Sequence, residues 1–428
     1  MLEQSKRGIW KEELVKRDLK PISPTILRRL GIKPENTRHV DSLEELRKHP
    51  PNIIIAESVK TFKFMQNFFK EQFLKKRGKY VMGLGVFQQL YHDKLRNNVK
   101  ILKPASTQFK NAYRPYIGQD VTDKTLLVFR TGGIGDLLFI QPNLIYLKYK
   151  YPTCKIKFAC GPQYQPMVRN WGCVDEVLDL PFPSRHLYES DYHILFEGVI
   201  ERCKQAETVN AYNLFSTWLG LDLPDNLLLP RQLPREDLVD KCFEILKEWN
   251  LQDESFIVMQ LRASSPIRTP RHEFWVKIID ELNKRGHNVI LTDNPRQTQN
   301  IDSFIDLLKK PEMTFNFCQH SESIAYTIAL TSMCKATIGT DSAISHISAS
   351  LDKKCFGIFG PFPGYIRLKT YPNASWVDAK KKCAPCYIHS QTKCPQSSDG
   401  YSPCYDELVE TDEKLNDVIN KFEELLNK

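Results

Sequence analysis

The chain has no apolar run that approaches the roughly 20 residues a bilayer-crossing helix needs, and its opening, MLEQSKRGIWKEELVKR, has no apolar signal core. The expectation is a cytoplasmic protein whose membrane contact, if it has any, is peripheral. No GxxxxGK[ST] loop is present, which removes the P-loop NTPases. A dinucleotide fingerprint is missing too: Gly133-Ile134-Gly135 is followed at the third place by Leu138, and no acidic residue plainly ends a second strand at the usual distance. Charge of one sign does not dominate. A net charge of +9 over 428 residues is compatible with an anionic substrate, an anionic membrane surface or nucleic acid, and selects none of them. Eight of the twelve cysteines are scattered, as buried reduced thiols would be.

What is present is centred on Leu126 to Pro142, LLVFRTGGIGDLLFIQP. An apolar run, Leu126-Leu127-Val128-Phe129, stops at Arg130-Thr131-Gly132-Gly133-Ile134-Gly135-Asp136, and an apolar pattern resumes at Leu137. This reads as strand, glycine turn, helix. Three glycines in four positions let the backbone take up positive φ and approach a bound molecule, which makes Thr131, Gly132, Gly133 and Gly135 candidate substrate-binding positions. Asp136 stands where a substrate hydroxyl could be deprotonated. The plainer alternative is that Asp136 only caps the helix and the glycines only make a tight turn.

A chain of this length implies two or three domains. Residues 1–120 read as an α/β extension. It has a capping box at Ser42 and Glu45, a strand over 52–56, a helix over 58–77 and a strand over 80–86. This extension is either a packing or oligomerisation unit or a platform for an acceptor. Residues 121–230 alternate strand and helix, with strands at 155–159, 176–179 and 192–196, which argues for a parallel sheet. The stretch Leu221 to Pro230 breaks the pattern as a linker. A second α/β run over 231–380 has strands at 255–262, 288–292 and 336–339. A cysteine-rich segment (381–408) and a C-terminal helix (409–428), free to pack back on the first domain, complete the chain.

In the second run, a strand ends at Gly339 and Asp341-Ser342-Ala343 opens a helix whose N–H groups favour a diphosphate. His346 either reaches the same anion or sits satisfied in the core. Arg262, Arg268 and Arg271 follow another strand end, where ligands bind in open α/β sheets, and guanidinium groups suit phosphate oxygens. Arg268 or Arg271 is expected to steady the diphosphate. Thr292 could line a base pocket.

Together, RTGGIGDLLFIQP and TDSAISHISASLDKKCFGIFGP resemble, in order and spacing, the ADP-heptose:lipopolysaccharide heptosyltransferases, glycosyltransferase family 9, including autotransporter heptosyltransferases. The resemblance spans roughly residues 124 to 410. It implies an α/β fold of GT-B type, two Rossmann-like domains facing across a cleft, and an inverting reaction without a catalytic metal. Asp136 would be the base, and Asp341, Ser342, Ala343 and His346 would surround the donor diphosphate. Arg268 lies near the family's donor-contacting basic residue, and Ala343 and Ser345 stand where a glycine and a small residue are often found. The implied partners are a nucleotide-sugar donor, with ADP-heptose as the one the resemblance implies, and a lipopolysaccharide core or protein acceptor, not nucleic acid. A homo-oligomer through the extension is a further expectation.

Cys383, Cys386, Cys394 and Cys404 form a C-x2-C-x7-C-x9-C cluster suited to a closed, structural zinc or iron site; members of the family that this chain resembles often carry cysteines here, and some bind iron or zinc in such a finger. The alternative is free thiols or paired disulfides, the latter disfavoured where no secretory signal is seen. Two other functions fit the same fold: a sugar-nucleotide epimerase, and a non-catalytic nucleotide-sugar binding or assembly module.

Overall fold

The structure is a computed structural model and describes residues 53–54, 79–80 and 114–428, apart from 181, 183–184, 198, 201–208, 252–254 and 389–392. The capping box at 42–45 and the helix expected over 58–77 lie outside the described residues. Within the strand expected over 52–56, β1 (Ile53–Ile54) is described; β2 (Lys79–Tyr80) meets the strand expected over 80–86 at Tyr80, with 81–86 outside the described residues, and β1 and β2 pair in parallel. The chain separates into two compact units: residues 1–131, 153–160 and 178–197, and residues 132–152, 161–177 and 198–428.

The first unit is built on β3 (Thr125–Phe129), β4 (Lys155–Cys160), β5 (Glu176–Asp179) and β6 (Tyr192–Leu195), in sheet order β5-β4-β3-β6. The apolar run Leu126 to Phe129 is buried throughout, as a central strand of a parallel sheet requires. Leu127 and Phe129 pack with Leu178, Leu180, Phe182 and Leu187, and the Phe129 and Phe182 rings meet edge to face at 5.8 Å. Because β3 lies between β4 and β6, the winding reverses there, and the C-terminal ends of β3 and β6 are adjacent.

The second unit begins with α1 (Ile134–Lys150) and α2 (Ala211–Trp218). Its six-stranded sheet comprises β7 (Phe256–Gln260), β8 (Asn288–Leu291), β9 (Thr314–Asn316), β10 (Ala336–Gly339), β11 (Lys354–Phe359) and β12 (Ala374–Asp378). All pairs are parallel, in the order β12-β11-β10-β7-β8-β9. The longer helices that flank them are α3 (Glu236–Glu248), ahead of β7, and α4 (His272–Lys284), α5 (Thr298–Ile305), α6 (Ile324–Met333), α7 (Ala343–Ser350) and α8 (Asp412–Leu426).

Alternation along β7 divides the core. Ile257 and Met259 face a layer with Trp275, Phe304 and Phe422, whereas Phe256 and Val258 face Leu238, Cys242 and Leu330. The sequence leaves the C-terminal helix free to pack back on the first domain. Instead, its apolar face, Val418, Ile419, Phe422 and Leu425, is taken up by β11, β12 and α4 of the second sheet, which offer a matching apolar surface. Since β7 separates β10 from β8, the winding reverses between β7 and β10. The crevice beyond the C-terminal ends of those two strands is where open α/β sheets hold ligands. Among the described residues, no helix is long and apolar enough to cross a membrane.

Candidate functional site

The loop after β7 and the turn after β10 meet at Asp341. Its carboxylate is 6% exposed and lies between two guanidinium groups. Arg367 donates Nε to Oδ1 at 3.1 Å, and Arg268 places Nη1 3.3 Å from Oδ2 and 2.9 Å from the Asp341 carbonyl oxygen. Arg268 is fixed further by Nη2 donating to Ser264 Oγ at 2.6 Å. Arg367, 3% exposed, comes from the one-turn helix Gly364–Leu368 and lies over the Phe362 ring at 4.6 Å. Two cations against one carboxylate leave this trio with an excess positive charge.

Among the described residues, several buried polar atoms here have no partner: Arg367 Nη1 and Nη2, Arg268 Nε, Thr340 Oγ1 and Ser342 Oγ. Leaving such an atom unsatisfied costs about 1–3 kcal/mol. Ser342 is the N-cap of α7, yet no side chain caps that end. The Ser342 hydroxyl makes no capping bond to that helix end. Unsatisfied donors, excess positive charge and an uncapped helix N-terminus all favour an anion with several acceptor oxygens.

The helix that carries Asp136 packs on α7 within the same unit. Gly135 is the contact: a Cβ there would come within 2.8 Å of His346 Cδ2. Gly133, at φ 82°, is the N-cap of α1, and a Cβ on it would collide with Oδ2 of Asp136, so the carboxylate is folded over the turn in space that only glycine leaves open. Asp136 is half-buried in the first turn of α1, the end where a carboxylate is favoured by the helix dipole. Gly132 abuts the Tyr164 ring in a similar way.

His346 is inside. Its Nδ1 lies 3.0 Å from the Tyr371 hydroxyl and 3.3 Å from that of Tyr212, and its ring meets Phe139 edge to face at 4.6 Å. Burial pushes its pKa down to about 4, against a smaller upward pull from Asp341, so the imidazole is neutral at neutral pH. It joins α1 and α7 and brings no positive charge to an anion.

The other positions read from sequence have these surroundings. In the first unit, Thr131 gives both its N–H and its hydroxyl to Glu197, the latter at 2.5 Å, and Arg130 donates to the Phe196 carbonyl at 2.8 Å. These bonds tie together the adjacent ends of β3 and β6. Arg262 pairs with Asp293 at 3.0 Å, and the Thr292 and Ser321 hydroxyls are 3.3 Å apart and buried. The Arg271 guanidinium is engaged by Asp399, Asp406 and Ser397. Ala343 is the first residue of α7. Sequence reasoning missed Arg367, Glu197, Tyr212 and Tyr371 as site residues; none sits in a spacing pattern that would single it out.

Cys383 and Cys386 are exposed, Cys394 and Cys404 buried, and all four are free thiols. The Cys404 thiol is pushed up to about 12, first by burial and then, against a bond with Ser402, by its neighbours Cys383, Cys386 and Cys394. The soft donor chemistry of sulfur suits zinc or iron. Among the described residues, however, no group of three or more His, Cys, Asp or Glu side chains is arranged to hold a metal ion.

Residues 205–394 match the family described as Glycosyltransferase family 9 (heptosyltransferase). No curated protein matches the chain in sequence. Among solved structures, a family 9 glycosyl transferase from Veillonella parvula is 12% identical, with 72% of this chain and 98% of that one covered at a TM-score of 0.54. The ADP-heptose LPS heptosyltransferase II of E. coli is 14% identical, with 71% and 98% covered, also at 0.54. The iron-containing dodecameric glycosyltransferase TibC of enterotoxigenic E. coli is 14% identical, with 72% and 78% covered at 0.51. Another TibC structure is described in complex with ADP-D-beta-D-heptose. At these identities the likeness is one of fold.

Proposed function

Since the chain carries a glycosyltransferase family 9 domain on a fold shared with heptosyltransferases, we propose that it moves a heptose from an ADP-activated donor to an acceptor hydroxyl, with inversion at the anomeric carbon. The acceptor hydroxyl attacks the anomeric carbon. Its new C–O bond forms as the bond to the diphosphate breaks, the proton passes to Asp136, and the electron pair leaves on the diphosphate. A positioned base of this kind contributes roughly 10²–10⁴-fold in rate. Arg268 and the N–H groups at the start of α7 take up the charge that develops on the leaving group, in place of a divalent cation. Arg367 holds Asp341, and through it Arg268, in position.

The observation that carries this reading is the trio Arg268, Asp341 and Arg367 with its unpartnered donors at the uncapped N-terminus of α7. It favours a transferase or donor-binding role over an epimerase, which would want further acidic and histidine side chains around the sugar. The acceptor is a sugar of the lipopolysaccharide core or a protein hydroxyl, and residues 1–120 serve as its platform or as an oligomer contact. The four-cysteine segment is read as a structural zinc or iron site, whose binding would draw the thiols together as thiolates.

The test is mass spectrometry of products after incubation with a panel of nucleotide sugars and candidate acceptors. Asp136→Asn is expected to lower transfer at least about 100-fold while ADP affinity stays within about twofold. Undiminished transfer by that variant would remove Asp136 as the base, and no transfer from any donor by the unaltered protein would favour a binding module.

A further inference from the structure

Arg271 ends the loop that follows β7, three positions beyond Arg268. Its guanidinium is engaged by a single segment: Nε donates to Asp399 at 2.8 Å, Nη1 to Asp406 at 2.6 Å and Nη2 to Ser397 at 3.1 Å. The same segment grips the loop at two further points. Ser402 Oγ donates to the Ile267 carbonyl at 2.6 Å, and Tyr405 Oη donates to the Arg268 carbonyl at 3.3 Å. Tyr405 is fully buried beside Phe274, and Cys404 Sγ presses on Gly360, where a Cβ would come within 2.6 Å.

The loop's own bonds are local: Thr269 Oγ1 accepts from the Ala263 N–H at 3.1 Å and donates to the Ser265 carbonyl at 2.9 Å, and Arg268 Nη2 donates to Ser264 Oγ. Pro266–Arg268 is a three-residue 3₁₀ turn, closed by Arg268 N–H to the Ser265 carbonyl and Thr269 N–H to the Pro266 carbonyl. Such a turn is too short to define its own orientation. Yet Arg268 has to be placed closely, because a misplacement of about 1 Å in a group that positions substrate can cost on the order of 100-fold.

We infer that the cysteine-bearing segment is a brace for the donor site, with Arg271 as a positioning residue that keeps Arg268 turned toward Asp341. The inference rests on the reading of Arg268 as a diphosphate contact. It assigns the segment a task in substrate binding, and it makes donor affinity depend on the order of residues 397–406.

ADP alone serves as the probe, with its dissociation constant measured by calorimetry on the full chain. Arg271→Gln is expected to weaken binding roughly tenfold, and Arg268→Gln by a similar factor. Because Arg271 acts through Arg268, the double variant should lose no more than about twofold beyond Arg268→Gln alone. Arg271→Lys keeps the charge but not the three-way fork, and should fall between Arg271→Gln and the unaltered protein. Unchanged affinity in Arg271→Gln, or losses that multiply in the double variant, would overturn the brace while leaving the donor-site reading standing. No loss in Arg268→Gln would instead remove the donor-site reading and the brace with it. If Arg271→Gln does not fold, Asp399→Asn addresses the same link from its exposed partner. A loss of about threefold is then expected, and an unchanged affinity overturns the brace.

Discussion

Replacing Asp341 by asparagine preserves the shape of the side chain and removes the negative charge between Arg268 and Arg367. Breaking a buried ion pair by neutralising one partner costs about 3–5 kcal/mol, because the remaining charge is left without compensation. The low end applies here. Arg268 keeps its bonds to the Asp341 carbonyl and to Ser264, and Arg367 keeps its place over the Phe362 ring. A loss of about 3 kcal/mol, at roughly 2–4 °C per kcal/mol for a large domain, lowers the melting temperature by roughly 6–12 °C. The variant also leaves two buried guanidinium groups facing one another, so inorganic phosphate should restore stability. An anion present at about 100 times its Kd contributes roughly 2.7 kcal/mol. Differential scanning calorimetry with and without phosphate measures both effects. A melting temperature within about 2 °C of the unaltered protein, or a phosphate shift equal in the two proteins, would refute the view of this cluster as a compensated cationic anion site.

Gly133→Ala should lose transfer activity while retaining ADP affinity, since a methyl group at φ 82° costs on the order of 1 kcal/mol and expels the Asp136 carboxylate from its place over the turn; the readout is product formation beside ADP calorimetry. Gly135→Ala drives a methyl group into the His346 ring and is expected to destabilise by about 1–3 kcal/mol in chemical denaturation. His346 contributes an acid limb to stability. Its folded pKa of about 4 lies below the ordinary 6.5, so the unfolded chain binds the proton first; the contribution is present above pH 6.5 and is lost as pH falls toward 4. Denaturation measured across that window should show a limb of about 3 kcal/mol that His346→Gln flattens. Elemental analysis of the purified protein should find about one equivalent of zinc and iron together, and less than roughly 0.3 would count against the four-cysteine site.

The local pattern was legible where a short stretch decides its own conformation. Leu126 to Phe129 is a buried strand because four apolar residues end at a glycine turn. The strand at Ala336–Gly339 and the helix after it were readable for the same reason. Strand β9, three residues long, and the half-buried edge strand β12 were too short or too mixed to stand out. The amphipathic face of α8 was visible in the spacing of Val418, Phe422 and Leu425, but not the surface that would cover it.

The candidate site divides along the same line. Asp136, Arg268 and Asp341 could be named from residue type and from their positions just past strand ends. Arg367 could not: it lies in the apolar stretch Gly364–Leu368, 26 residues from Asp341, and becomes a partner only because neighbouring strands deliver the two chain segments to one place. His346 had two readings in the sequence, and burial between Tyr212, Tyr371 and Phe139 makes it a neutral core residue. The destination of the three arginines after β7 was likewise undecided by their spacing. Asp293, Asp341 and the segment around Asp399 each claimed one, since ion pairing follows from which loops the parallel sheet brings together, and backbone propensity and apolar periodicity carry no information over such separations.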